Sequence, residues 1–158
     1  MTRATLAILL AAAALSPAHA SPFRQAVLKA DTESMMLLDL ASIEKVGSYQ
    51  RAWMTQINAA AGEDKIGASR VMTEFDCDEG AFRVRRVDAF DASNNLLGSV
   101  PGAASWRNAP PETAARQAIV IACDRSAHAE TGTVLDLDFA GSVEAYRHMV
   151  ASGAVLPE

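Results

Sequence analysis

Val71-Met72-Thr73-Glu74-Phe75-Asp76-Cys77-Asp78-Glu79-Gly80 is the stretch that decides the fold. Val71, Thr73, Phe75 and Cys77 share one parity, and Met72, Glu74 and Asp76 share the other. Side chains alternate across a strand, so this pattern predicts a strand with one face turned inward. Asp78-Glu79-Gly80 supplies turn chemistry, and Phe82 to Phe90 continues as the return strand of a hairpin. On that second strand Phe82, Val84 and Phe90 share a parity with Arg86 and Asp88. Either a bulge or a paired charge would explain the mixture.

Upstream, Met35 to Leu40 reads as a short buried strand. Tyr49, Arg51, Trp53, Thr55 and Ile57 alternate with Gln50, Ala52, Met54, Gln56 and Asn58, which predicts a strand with the first set against a core. Ala59 to Ala68, with Gly62 and Gly67 among charges, is a loop. Downstream, Asp91 to Asn95 is a second turn, Leu96 to Val100 a strand, and Pro101-Gly102 ends it. Pro110-Pro111-Glu112-Thr113 marks a helix start, and Ala114 to Cys123 contains no breaker. Ala115, Ile119, Ala122 and Cys123 then fall on one helical face. A strand over Ala118 to Cys123 competes, because that segment is rich in β-branched residues, and the proline start favours the helix. Leu135 to Phe139 gives a last apolar segment. A helix follows from about Ser142 to Ser152, with Val143, Tyr146 and Val150 as its stripe and Gly153 as its stop.

The N-terminus bears on the compartment. Arg3 precedes an uncharged apolar run from Leu6 to Leu15, and Ala18-His19-Ala20 is a small-x-small cleavage pattern. Residues 1–20 are expected to be a cleaved signal peptide, leaving 21–158 as one domain. The run is about ten residues, short of the ~20 that a membrane-spanning helix needs. No cysteine follows the expected cut, which argues against a lipid anchor there. Removing Arg3 from 14 basic residues leaves 13 against 19 acidic ones, a net charge of −6 with histidines neutral. That balance argues against nucleic acid or an anionic membrane as partner, since both select basic surfaces.

Cys77 and Cys123 are the only cysteines, 46 positions apart. In an oxidising compartment such a pair is expected to form a disulfide, worth ~4 kcal/mol by the chain-entropy model. Two free thiols are the alternative. Zinc lacks the paired ligands it would need. No nucleophile elbow, phosphate loop, dinucleotide fingerprint or zinc-protease motif is present, so neither catalysis nor a cofactor is expected. Of the histidines beyond the signal, His128 falls in a polar loop and His148 on a helix, neither beside a nucleophile motif. Both read as solvent-exposed. Asp76 to Gly80 fails the calcium-loop pattern, with glycine fifth and Val87 twelfth. Asp136 and Asp138 read as two solvated carboxylates on one side of a strand. Arg83, Arg85 and Arg86 form the one basic cluster. They are either a patch for an anion or acidic partner, or a solvated face paired with Glu74 and Asp76, which is the ordinary outcome. Trp53 and Trp106 read as core anchors.

The order of landmarks resembles one family. Leu38-Asp39-Leu40-Ala41-Ser42-Ile43 comes first, then Tyr49 to Trp53, Glu74-Phe75-Asp76-Cys77, Phe82-Arg83, Trp106, Pro110 and Cys123. This set, covering roughly Met35 to Asp124, resembles the bacterial surface-adhesin protein E family. The resemblance implies an antiparallel sheet with a helix held to it by the cysteine pair, and adhesion to host extracellular-matrix proteins such as vitronectin and laminin. The segment after Cys123 is an extension that the family core does not require. Taken together, the expectation is an α+β domain. It has about five or six antiparallel strands, a disulfide-tethered helix and a C-terminal helix. In function it is an exported, non-catalytic module of the periplasm or cell surface that binds a protein partner. Two other readings stand beside that one. The first is an assembly accessory that binds an envelope partner through its tail, and the second a hydrolase using His128 or His148.

Overall fold

The computed structural model describes residues 23–124, 126–127 and 133–154. The expected signal peptide, its cleavage point and His128 lie outside the described residues. Nine strands form one antiparallel sheet: β1 (Gln25–Ala30), β2 (Ser34–Asp39), β3 (Glu44–Val46), β4 (Tyr49–Asn58), β5 (Ala68–Asp76), β6 (Ala81–Phe90), β7 (Leu96–Pro101), β8 (Arg107–Asn108) and β9 (Val134–Leu135). The spatial order is β7-β6-β5-β4-β2-β1-β9, with β3 paired to β4 and β8 to β6. Among the described residues two complete α-helices, α1 (Ala114–Cys123) and α2 (Phe139–Ala151), finish the α+β fold.

The strand count exceeds the expected five or six because β1, β3, β8 and β9 gave no readable signal. β8 and β9 are two residues long, and β3 is three. β1 is covered on both faces, so its apolar residues run together and do not alternate.

The two helices pack on opposite faces of the sheet. Leu38, Ala52, Met54 and Phe75 meet Ala118, Ile119, Ile121 and Ala122 of α1. Met35, Leu37, Ile57 and Ala68 meet Val143 and Tyr146 of α2. Neighbours on β2 such as Leu37 and Leu38 therefore belong to different cores. The same division corrects the expectation for β4. Its buried residues are Ala52 and Met54 on one face and Thr55 and Ile57 on the other, rather than one parity from Tyr49 to Ile57.

Helix α1 starts after the two prolines, not at them. Glu112 has φ +62°, which interrupts a helical path, and Thr113 caps the helix by accepting from the Arg116 amide at 3.2 Å. The alternative strand over 118–123 is excluded. Helix α2 begins three residues before the expected Ser142, because Asp138 caps it, accepting from the Gly141 amide at 2.7 Å. Asp138 is thus a capping group and not one of two matched strand carboxylates. Gly153, at φ +72°, ends the helix as expected. The Tyr146 hydroxyl donates to the Asp31 carbonyl at 2.9 Å, tying α2 to the β1–β2 turn.

Candidate functional site

The hairpin of β5 and β6 is straight in register except at one point. Thr73 pairs with Val84 and Met72 with Arg86, so Arg85 is the extra residue of a β-bulge. Before the bulge, Phe82 and Val84 face α1. After it, Arg86, Asp88 and Phe90 lie on the α2 side, and the mixed parity of β6 is resolved. Gly102 fits against the bulge: its amide donates to the Arg85 carbonyl at 3.0 Å, and a Cβ there would overlap the Val84 carbonyl.

Helix α2 covers one end of its face and leaves the other open. The open part carries Tyr49, Arg51 and Trp53 from β4, Met72 and Glu74 from β5, and Arg83, Arg85 and Arg86 from β6. At its centre Glu74 is buried, 2% exposed. Arg51 donates to its Oε1 at 2.5 Å, Arg83 to its Oε2 at 2.7 Å, and Arg85 stands 3.8 Å from Oε2. Burial alone would raise the Glu74 pKa. The hydrogen bonds from Arg51 and Arg83 outweigh it and hold the carboxyl below its ordinary value. Arg86 donates to Asp88 at 2.6 Å, and the Ser99 hydroxyl donates to the same carboxylate.

Aromatic rings brace this charge cluster. The Arg83 guanidinium lies 4.4 Å from the Trp106 ring centroid and 5.4 Å from that of Tyr49, and the two rings are 4.8 Å apart. Arg70 lies 4.8 Å from the Trp53 ring and 5.9 Å from Phe139. These are cation–π distances. Trp53 and Trp106 are therefore half-buried platforms on the open face, not core anchors. Where α2 begins, Arg70, Asp39, Gln25, Thr55 and Phe139 border a cleft of about 330 Å³. Burial raises the pKa of Asp39 there.

Of the residues singled out in the sequence, Arg83, Arg85 and Arg86 do gather on one surface, Arg83 and Arg85 around Glu74 and Arg86 against Asp88. Asp76 does not join them. It organises the turn, accepting from the Asp78 and Glu79 amides. Arg51, Arg70 and Tyr49 were not anticipated, since their part depends on cross-strand register. Cys77 and Cys123 form a disulfide with a Cα–Cα distance of 5.6 Å. Cys77 lies just past the end of β5 in the exposed turn, not on an inward strand face, and from there it holds the last residue of α1. His148 is exposed on α2, bordered by Asn94, Glu144 and Arg147. Among the described residues no group of three or more His, Cys, Asp or Glu could hold a metal ion, and no helix is long and apolar enough to cross a membrane.

Residues 25–124 match the family model of surface-adhesin protein E, ten residues earlier at the N-terminus than the landmarks alone suggested. The match takes in every strand from β1 to β8, the helix α1 and both cysteines. No curated protein and no solved structure matches the chain. With the match spanning 100 of 158 residues, this chain belongs to the surface-adhesin protein E family.

Proposed function

We propose that this chain is an exported, non-catalytic adhesin module that binds a host extracellular-matrix protein through the open face of its sheet. The observation that carries the reading is the surplus of cation beside aromatic rings. Arg51, Arg83 and Arg85 converge on the single carboxylate of Glu74, and Arg85 and Arg86 keep 43% and 52% of their side-chain surface exposed. Arg, Tyr and Trp are the residues on which protein interfaces concentrate their energy. The chain's overall negative charge makes this local excess more selective for an acidic segment on the partner.

The position of the tail favours this reading over an assembly accessory that docks through its C-terminal segment. The apolar side of α2 is committed to the chain's own sheet through Val143 and Tyr146.

The test is binding of the processed, oxidised protein to immobilised vitronectin and laminin. The Arg85→Glu/Arg86→Glu double variant is expected to bind at least tenfold more weakly, and native binding should fall as salt rises. Unchanged affinity in the variant would remove the open face from the reading. No binding of either matrix protein would remove the matrix partner.

A further inference from the structure

A second concavity lies on the opposite side of the sheet, beside the first turns of α1. It has a volume of about 320 Å³, and its walls are almost wholly apolar: Met36, Met54, Val71, Phe75, Phe82 and Val84. It exists because α1 begins with small residues. Ala115 lines the cavity, and Ala114 and Ala118 pack nearby, so the helix leaves the sheet incompletely filled.

Four polar residues interrupt this lining: Thr55 and Gln56 of β4 at the Met36 end, and Thr73 and Arg107 towards Phe82. Thr73 is 1% exposed, and its hydroxyl oxygen is buried with no hydrogen-bond partner in the structure. Buried hydroxyls in native proteins are nearly always paired, so a lone one on a cavity wall points to something that completes it. Arg107, on β8 opposite Phe82, stands exposed at the rim with its guanidinium 5.4 Å from the Phe82 ring. It has no ion pair among the described residues. A mainly apolar trough with a buried hydroxyl on its wall and, at its rim, a cation that has no ion pair among the described residues fits a ligand with an alkyl tail and an anionic head.

We propose that this cavity binds a medium-chain alkyl carboxylate. The carboxylate accepts hydrogen bonds from Arg107 and from the Thr73 hydroxyl, and the chain runs along Val71 and Met54 towards Met36. At the ~30 Å³ that a water-sized group occupies, the space holds roughly ten heavy atoms. Methionines at the far end adapt to chains of slightly different shape. This site is on the other face of the sheet from the arginine cluster and does not rest on the adhesin reading.

Decanoate, kept below its micelle concentration, is the probe, and methyl signals of Met36, Met54 and Val71 in NMR titration are the readout. Those methyls are expected to shift saturably, with affinity rising about fourfold per methylene from hexanoate to octanoate, which fills the space, and more slowly from there to decanoate. Arg107→Gln should weaken decanoate at least tenfold and leave decanol unchanged. Thr73→Val, of similar shape, should weaken it severalfold while the fold is retained. Absence of saturable shifts at these methyls overturns the proposal. So does equal decanoate affinity in Arg107→Gln and the native protein.

Discussion

Phe82 and Arg86 stand four residues apart on β6 and point to opposite faces of the sheet. In an unbroken strand they would share a face. The bulge at Arg85 separates them, sending Phe82 into the α1 core and turning Arg86 out beside Asp88. One inserted residue thus places three arginines on the open face without putting any of them in a core.

Gly102 is the residue that permits this bulge. A Cβ added there meets backbone atoms of Val84, which cannot swing aside as a side chain tip would. Gly102→Ala is expected to cost about 1–3 kcal/mol, the usual range for overpacking. Faster hydrogen exchange confined to the amides of 84–87 would locate the effect. Native stability in the variant would show that the bulge does not depend on this contact.

Glu74 holds the arginine cluster together. Glu74→Gln keeps the shape but leaves Arg83 without its carboxylate and Arg51 with only the exposed Glu44 at 3.6 Å. Breaking a buried pair costs ~3–5 kcal/mol, and because both arginines retain some solvent the lower end is expected, about 3 kcal/mol. Urea denaturation should show a lower midpoint at unchanged slope.

Acid should act through the same groups. Glu74, Asp88 and Asp91 have pKa values lowered in the folded state, and Asp31 is lowered from 3.8 to about 2 by the amides of Ser34 and Glu33 and by Lys29. A depressed folded-state pKa stabilises fully above the unfolded value and is lost as pH falls through the folded one. Stability should therefore decline from about pH 5 towards pH 2, and Glu74→Gln should decline less steeply. Asp39, raised by burial, acts in the opposite direction. A flat stability profile across that range would contradict these assignments.

The C-terminal segment should prove integral to folding although the family match stops at Asp124. Tyr146 is fully buried, and its hydroxyl bonds the Asp31 carbonyl. Tyr146→Phe is expected to cost about 1 kcal/mol and Tyr146→Ala about 3–5 kcal/mol. A chain ending at Asp124 would expose Met35, Leu37 and Ile57, and it should bind hydrophobic dyes and melt without a sharp transition.

What the sequence made legible was whatever is local. The β5–β6 hairpin announced itself by alternation and by Asp78-Glu79-Gly80, and α1 by ten residues without a breaker. β1 was obscured because helices cover both of its faces, whereas β2, covered in the same way, was legible as a buried strand but not as to which residue meets which core, since Met35-Met36-Leu37-Leu38 has no polar side. The basic cluster could be seen in Arg83, Arg85 and Arg86, but its organisation could not. That Arg51 lies opposite Glu74, and Glu74 opposite Arg83, follows from pairing register, which no single strand encodes. Trp106 was misread for a related reason: it returns to Tyr49 and Arg83 from an irregular segment far along the chain.

The disulfide also sets how far the molecule can be drawn out. Cys77 and Cys123 are 46 positions apart and enclose β6, β7, β8 and α1 in one covalent loop. An unravelled chain lengthens by about 3.5 Å per residue. The oxidised form withholds that loop from the load path, so it reaches roughly 160 Å less than the reduced form when pulled from its ends. The arginine-bearing strand β6 lies wholly inside the withheld loop, so a chain drawn from its two ends exerts no direct pull on it even after the rest of the sheet has given way.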